Sequence, residues 1–130
     1  MNNRTISILL IEDSPTDALL MRHHLNSVQE YNFNIEEAAS LTLATTKAEA
    51  QEFDAVVLDL GLPESTGLST FKKAKNSFPD KPIVVVTGDN DRSTLAATME
   101  AGADNYLIKD ALEGNRIAIA ILSAIRNRQS

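Results

Sequence analysis

Two kinds of apolar segment alternate along the whole chain, and this alternation constrains the fold more than any other feature of the sequence. Short runs rich in β-branched residues are typical of strands, and four of the five runs are strongly apolar, as in strands that are covered on both faces. We predict five strands, at residues 5–11, 33–37, 55–59, 83–87 and 105–108.

Amphipathic patterns with helical spacing lie between these runs. In the first, Ala18, Met21 and Leu25 share one face with Val28, and Ser14-Pro15 predicts the N-terminus. Four further helices are predicted: one containing Leu41, Ala44 and Ala48; one containing Leu68, Phe71, Lys75 and Phe78; one capped near Asp91, containing Leu95 and Met99 and closing at Gly102; and one over residues 112–126.

The resulting order is βα repeated five times, which predicts an α/β fold with a parallel sheet and helices on both faces. With 130 residues and no linker rich in Gly, Ser or Pro, the chain is expected to form a single domain, 1–130, with its core over residues 5–127. The pattern leaves the strand order open. Ligands of such sheets bind at the carboxyl edge, where the strand order reverses.

Composition narrows the range of functions. The formal net charge of −6 argues against non-specific nucleic-acid binding, which depends on basic side chains. The absence of cysteine excludes thiolate metal sites and disulfides, and it agrees with a reducing compartment. The first apolar run, residues 6–11, is too short for a signal peptide or a membrane span. We therefore expect a cytoplasmic protein without a membrane anchor.

Polar residues stand where four of the predicted strands end: Glu12 and Asp13, then Asp59, Thr87 and Lys109. The carboxyl ends of parallel strands share one edge of the sheet, so these side chains are expected to meet in one crevice. Clustered carboxylates repel one another unless a cation joins them, and Mg²⁺ prefers oxygen ligands. The sequence thus predicts a magnesium-dependent phosphoryl site.

Each carboxylate can be given a role in that chemistry. Asp59 is the candidate nucleophile, because a carboxylate can accept a phosphoryl group and form an acyl phosphate. Asp13 and Asp59 are expected to bind Mg²⁺ directly, with Glu12 holding a metal-bound water and the backbone carbonyl of Gly61 supplying a further oxygen.

The remaining two groups suit the phosphoryl oxygens. Lys109 would neutralise their charge, and the Thr87 hydroxyl would donate a hydrogen bond to a bound phosphoryl group and so sense it. Taken singly, these residues are more commonly solvated caps, turn residues or surface charges. Their occurrence in order at the ends of alternating units favours the functional interpretation.

Four motifs carry a resemblance to a known family: ILLIEDSPTDALL, VVLDLGLPESTGL around Asp59, PIVVVTGD around Thr87 and AGADNYLIK before Lys109. The chain resembles the response-regulator receiver domain, the phospho-accepting module of two-component signalling, and the match covers essentially the whole sequence. This resemblance implies a flavodoxin-like fold, a doubly wound (βα)5 with five parallel strands in the order 2-1-3-4-5.

The resemblance also implies partners and a way for the signal to leave the site. Asp59 would take its phosphoryl group from a phosphohistidine on a histidine kinase or histidine phosphotransfer protein. Thr87 would act as the switch, with Tyr106 as the aromatic coupled to it. The face made by helix 4, strand 5 and helix 5 would then bind a downstream protein, a fused output domain or a second copy of the chain.

The sequence departs from the family pattern at two places. Asp110 follows Lys109 where most members have proline, so the cis peptide expected there is not predicted here. In the last helix, Ile119 and Leu122 lie off the face formed by the other apolar residues. They indicate either a partner surface or a wider buried face.

Two other functions remain open from the residues alone. A phosphorylation-independent scaffold would use the same fold, although the retained site residues count against it. A phosphohydrolase of the haloacid-dehalogenase kind would need an acid two residues after its nucleophile, where this chain has Gly61. On the leading interpretation the protein is not an enzyme beyond the phosphorylation and dephosphorylation of its own aspartate.

Overall fold

The computed structural model describes residues 4–62, 67–88, 92–112 and 115–129. In these residues strands and helices alternate, as the sequence predicts. The strands are β1 (Arg4–Ile11), β2 (Tyr31–Ala38), β3 (Ala55–Asp59), β4 (Ile83–Thr87) and β5 (Asn105–Ile108). The helices are α1 (Pro15–Asn26), α2 (Leu41–Ala50), α3 (Gly67–Ser77), α4 (Arg92–Glu100) and α5 (Arg116–Gln129), with a 3-10 turn at Lys109–Ala111.

All five strands are parallel and lie in the order β2-β1-β3-β4-β5. This order is that of the flavodoxin-like fold and confirms the predicted fold class. The strand order reverses between β1 and β3, because β2 lies on one side of β1 and the later strands lie on the other. At this point Ile11 of β1 pairs with Leu58 of β3. The residues that follow these two, Glu12 and Asp59, are therefore neighbours at the carboxyl edge.

The core consists of two apolar layers, one on each face of the sheet. Alternate residues of β3 and β4 point to opposite layers, because successive side chains of a strand face opposite sides. Val57 and Val84 pack with residues of α1 and α5, whereas Leu58 and Val85 pack with residues of α2, α3 and α4. The sheet is thus covered on both faces, which explains its strongly apolar central strands.

The first helix begins as predicted. The Ser14 side chain accepts a hydrogen bond from the Asp17 backbone N–H at 3.3 Å, and Pro15 occupies the first helical position. This cap fixes the start of α1 directly after the end of β1. Asp17 is consequently placed in the first turn of the helix, beside the carboxyl edge of the sheet.

Two helix boundaries differ from the prediction. Phe78 is buried but follows the end of α3, since a residue before proline avoids the helical region. Helix α5 begins at Arg116 rather than at Leu112, whose non-helical backbone places its buried side chain in the core layer with α1. The predicted cap at Asp91 lies outside the described residues.

The two departures from the family pattern are also visible. The described residues include no cis peptide bond, so the link between Lys109 and Asp110 is trans, as predicted. On α5, Ile119 is 55% exposed, whereas Leu122 packs partly against the core. The wider buried face therefore accounts for Leu122 but not for Ile119. Among the described helices none is long and apolar enough to span a membrane.

We expect a large difference in stability between two isoleucine-to-alanine variants of α5. Ile121 is fully buried, so Ile121→Ala should lower the free energy of unfolding by about 2–5 kcal/mol. Ile119→Ala, on the exposed side, should change it by less than about 0.5 kcal/mol. Urea denaturation measures both. Equal losses of unfolding free energy in the two variants would contradict the burial of Ile121 and the exposure of Ile119.

Candidate functional site

Three carboxylates meet where β1 and β3 end. Glu12, Asp13 and Asp59 each offer an oxygen, and these oxygens lie within 4.8 Å of one another. Glu12 and Asp59 are buried, with 4% and 5% of their surface exposed, whereas Asp13 is exposed. The pairing of Ile11 with Leu58 brings them together, although they are far apart in sequence.

The loop after β3 holds the Asp59 carboxylate in place. The Gly61 backbone N–H donates a hydrogen bond to Asp59 Oδ1 at 3.0 Å. The structure thus gives Gly61 a contact through its N–H, while the role predicted for its backbone carbonyl stays a prediction.

Lys109 faces the acidic cluster from the end of β5. Its Nζ lies 2.8 Å from Glu12 Oε1 and 3.4 Å from Asp59 Oδ2. A third carboxylate, Asp17, lies closer still, with its Oδ2 at 2.7 Å. Sequence analysis missed Asp17. The signal that could have found it is its position in the first turn of α1, which follows Glu12 and Asp13 after the end of β1.

Burial and charge together set the protonation of this cluster. Burial is the largest cause that raises the pKa of Glu12, to about 7, and the nearby Asp59 carboxyl adds to the shift. The contacts of Glu12 with Lys109 and with the Ser14 backbone act in the opposite direction. Burial by itself lowers the pKa of Lys109, but Asp17 and Glu12 outweigh burial and leave this pKa above its usual value.

The cluster fits a small divalent cation. Glu12 Oε1 is buried and has no hydrogen-bond partner in the described structure, so its contact with Lys109 is an ion pair only. A buried carboxylate oxygen without a hydrogen bond is costly. All three acidic residues offer hard oxygen ligands, which suit Mg²⁺. Glu12, Asp13 and Asp59 are therefore the residues that could hold the metal.

Thr87 and Tyr106 lie on the neighbouring strands. Thr87 ends β4, half-buried, and pairs with Ile108 of β5, the residue before Lys109. Tyr106 is 44% exposed and, with Met99, lines a surface hollow of about 420 Å³ between α4 and β5. This arrangement places Thr87 at the same edge as the carboxylates, and Tyr106 on the side of β5 that borders α4.

Comparison with known proteins agrees with this architecture. A family profile for the response regulator receiver domain matches residues 8–121. The chain is 30% identical over 125 residues to the transcriptional regulatory protein BasR of Escherichia coli (strain K12), and the match covers 95% of this chain and 55% of BasR. The chain thus belongs to the response regulator receiver domain family. It spans 25–62% of the length of the first curated relatives.

Solved structures show the same fold. A response regulator receiver domain protein from Clostridium thermocellum superposes with a TM-score of 0.79 at 24% identity, covering 95% of this chain and 97% of that one. A response regulator protein from Burkholderia pseudomallei, solved with a phosphorylated aspartic acid, a calcium ion and citrate, gives a TM-score of 0.74 at 27% identity. That match covers 95% of this chain and 71% of the other.

Proposed function

We propose that this receiver domain is a phosphorylation switch whose acceptor is Asp59. A phosphohistidine on a histidine kinase or a histidine phosphotransfer protein donates the phosphoryl group. One Asp59 oxygen forms a bond to phosphorus while the bond from phosphorus to the imidazole nitrogen breaks, and its electron pair returns to the ring. The domain is not an enzyme towards other substrates.

The observation that carries this proposal is that Lys109 faces the cluster of carboxylates formed by Glu12, Asp13 and Asp59. Phosphoryl transfer needs positioning and charge neutralisation more than covalent help from the protein. Asp59 is held by the Gly61 N–H, and Lys109 Nζ already lies 3.4 Å from its Oδ2. This distance supports a contact between the ammonium and the oxygens of a phosphoryl group on Asp59.

Mg²⁺ is the proposed cofactor, held by Asp13 and Asp59, with Glu12 through a water and the Gly61 carbonyl as a further ligand. When bound, the metal neutralises charge on the phosphoryl oxygens. The convergence of three carboxylate oxygens within 4.8 Å of one another supports a cation at this position. The phosphorylated aspartic acid and calcium ion of the Burkholderia pseudomallei relative give independent support.

Thr87 and Tyr106 are proposed to carry the signal away from the site. A phosphoryl group adds about two negative charges and new acceptor oxygens, and the Thr87 hydroxyl can turn to meet them. Tyr106 then shifts with it, which changes the face formed by α4, β5 and α5 between two existing states. That face is proposed to bind a downstream protein, a fused output domain or a second copy of the chain.

We expect Thr87→Ala to separate phosphorylation from signalling. Beryllofluoride should still bind, because the carboxylates and Lys109 remain, but the amide chemical-shift changes in β5 and α5 should fall to roughly half or less of those in the wild type. Thr45→Ala, on α2, is the matched control and should leave both responses unchanged. If the amide chemical shifts of Thr87→Ala change as much as those of the wild type, Thr87 is not part of the switch.

The proposed function is tested directly with a small phosphodonor. The protein is incubated with acetyl phosphate in Mg²⁺ or in EDTA, and its intact mass is measured. We expect a gain of one phosphoryl group in Mg²⁺ and almost none in EDTA. No gain under either condition would favour the phosphorylation-independent scaffold.

The wider setting of the switch is also a proposal. We propose that residues 1–130 form one domain, that it works in the cytoplasm, and that it makes no direct contact with nucleic acid. The net charge of −6 supports the last point, because phosphate contacts require basic side chains.

A further inference from the structure

Asp17 has no role in the proposed function, yet it makes the shortest contact with Lys109. Its Oδ2 accepts a hydrogen bond from Lys109 Nζ at 2.7 Å, whereas Asp59 Oδ2 lies 3.4 Å from the same nitrogen. Asp17 also differs from the other two partners in exposure. Its side chain is 37% exposed, against 0% for Glu12 and 6% for Asp59.

Carboxylates already surround the Lys109 ammonium: Asp17 and Asp59 accept hydrogen bonds from it, and Glu12 forms an ion pair with it. An ammonium has three N–H donors, and three carboxylates lie around Lys109. A phosphoryl group on Asp59 brings additional acceptor oxygens to the same place. Those oxygens therefore compete with the surrounding carboxylates for Lys109.

Asp17 is the carboxylate that can be released at the lowest cost. Glu12 is fully buried and lacks any other partner for Oε1, so losing Lys109 would leave an uncompensated buried charge. Asp17 lies at the surface and can exchange the ammonium for water. Phosphorylation should thus break the contact between Lys109 and Asp17 first.

We propose that Asp17 is a positioning residue that holds Lys109 in the unphosphorylated protein and yields it to the phosphoryl group. The inference rests on the proposed function and adds a residue that regulates the phosphoryl affinity of the acceptor site. By competing for Lys109, and by repelling an incoming anion, the Asp17 carboxylate lowers the affinity of the acceptor site for a phosphoryl group. The contact thereby opposes spontaneous activation.

The test measures beryllofluoride affinity as a stand-in for phosphoryl affinity, at saturating Mg²⁺ so that metal binding is not limiting. Asp17→Asn should bind beryllofluoride about three to ten times more tightly than the wild type. Asp17→Glu keeps the carboxylate within reach of Lys109 and should return the affinity to within about twofold of the wild type.

Asp110→Asn is the matched control for the loss of one negative charge. Asp110 is exposed and adjoins Lys109 in sequence, and its side chain makes no hydrogen bond or ion pair with the described residues. It should leave the affinity within about twofold of the wild type, because exposed charges are screened. Thermal unfolding of each variant checks that the domain has kept its fold.

Three results would overturn the inference: unchanged or weaker binding by Asp17→Asn, an equal gain in Asp110→Asn, or failure of Asp17→Glu to restore the wild-type affinity. The last would indicate a structural role for Asp17 in the first turn of α1. A wild type that binds no beryllofluoride would instead contradict the proposed function and the inference together. Wild-type binding that is unaltered in Asp17→Asn contradicts the inference alone.

Discussion

Asp59→Asn will abolish phosphoryl uptake from acetyl phosphate. The amide has nearly the same shape as the carboxylate but is not a nucleophile towards phosphorus, so no acyl phosphate can form. We expect no mass gain under conditions in which the wild type gains one phosphoryl group. The fold should persist, because Asn can still accept the hydrogen bond from the Gly61 N–H and because one charge leaves a repulsive cluster.

Asp110→Asn provides the control for this result, since it removes a carboxylate from the same edge of the sheet without touching the cluster. It should take up the phosphoryl group as the wild type does. Circular dichroism of both variants shows whether the fold is retained. Phosphoryl uptake by a folded Asp59→Asn protein would show that another residue is the nucleophile.

Lys109→Gln will have the second large effect, a loss of stability in the absence of Mg²⁺. Lys109 is the cation that pairs with the two buried carboxylates, Glu12 and Asp59. Removing one partner of a buried ion pair leaves uncompensated charge, and proton uptake by Glu12, whose pKa is already about 7, limits the penalty. We expect the free energy of unfolding in EDTA to fall by about 2–4 kcal/mol.

Lys47→Gln is the matched control, because Lys47 pairs with Glu36 at 3.3 Å and both side chains are 40% exposed. Its loss should cost less than about 1 kcal/mol. Mg²⁺ should restore more stability to Lys109→Gln than to the wild type, since the ammonium no longer competes with the metal for the carboxylates. Equal and small losses in the two variants would contradict the buried network around Lys109.

The fold was largely predictable because its apolar pattern is strong. Strands β3 and β4 are buried along almost their whole length, and their sequences are apolar except for the last residue of each, Asp59 and Thr87. Strand β2 was predicted too short: its pairing with β1 extends from Tyr31 to Ala38 and includes exposed Asn32 and Asn34. Backbone pairing with a neighbour extended that edge strand beyond its apolar residues.

The start of α5 could not be read from the sequence for a related reason. Leu112 continues the apolar pattern, but it reaches the core from the irregular segment after the 3-10 turn rather than from a helix. Periodicity cannot distinguish these two ways of burying a leucine.

Part of the site could be predicted from the sequence, and part depends on tertiary packing. Residues at strand ends could be grouped because a parallel sheet brings its carboxyl edge together. The contact between Lys109 and Asp17 links residues 92 positions apart, and it depends on where the first turn of α1 lies relative to β5. Likewise, the burial of Glu12 beside an exposed Asp13 is set by the packing of the edge, which adjacent acids in a sequence do not reveal.

The most direct measurement of the central claim is to locate the phosphoryl group in the chain. After treatment with acetyl phosphate and Mg²⁺, borohydride reduces an aspartyl phosphate to homoserine, and tandem mass spectrometry of peptides then identifies the residue. We expect homoserine at position 59 alone, and none when EDTA replaces Mg²⁺. Modification of Asp13 or phosphate on His23 or His24, with position 59 unaltered, would contradict it.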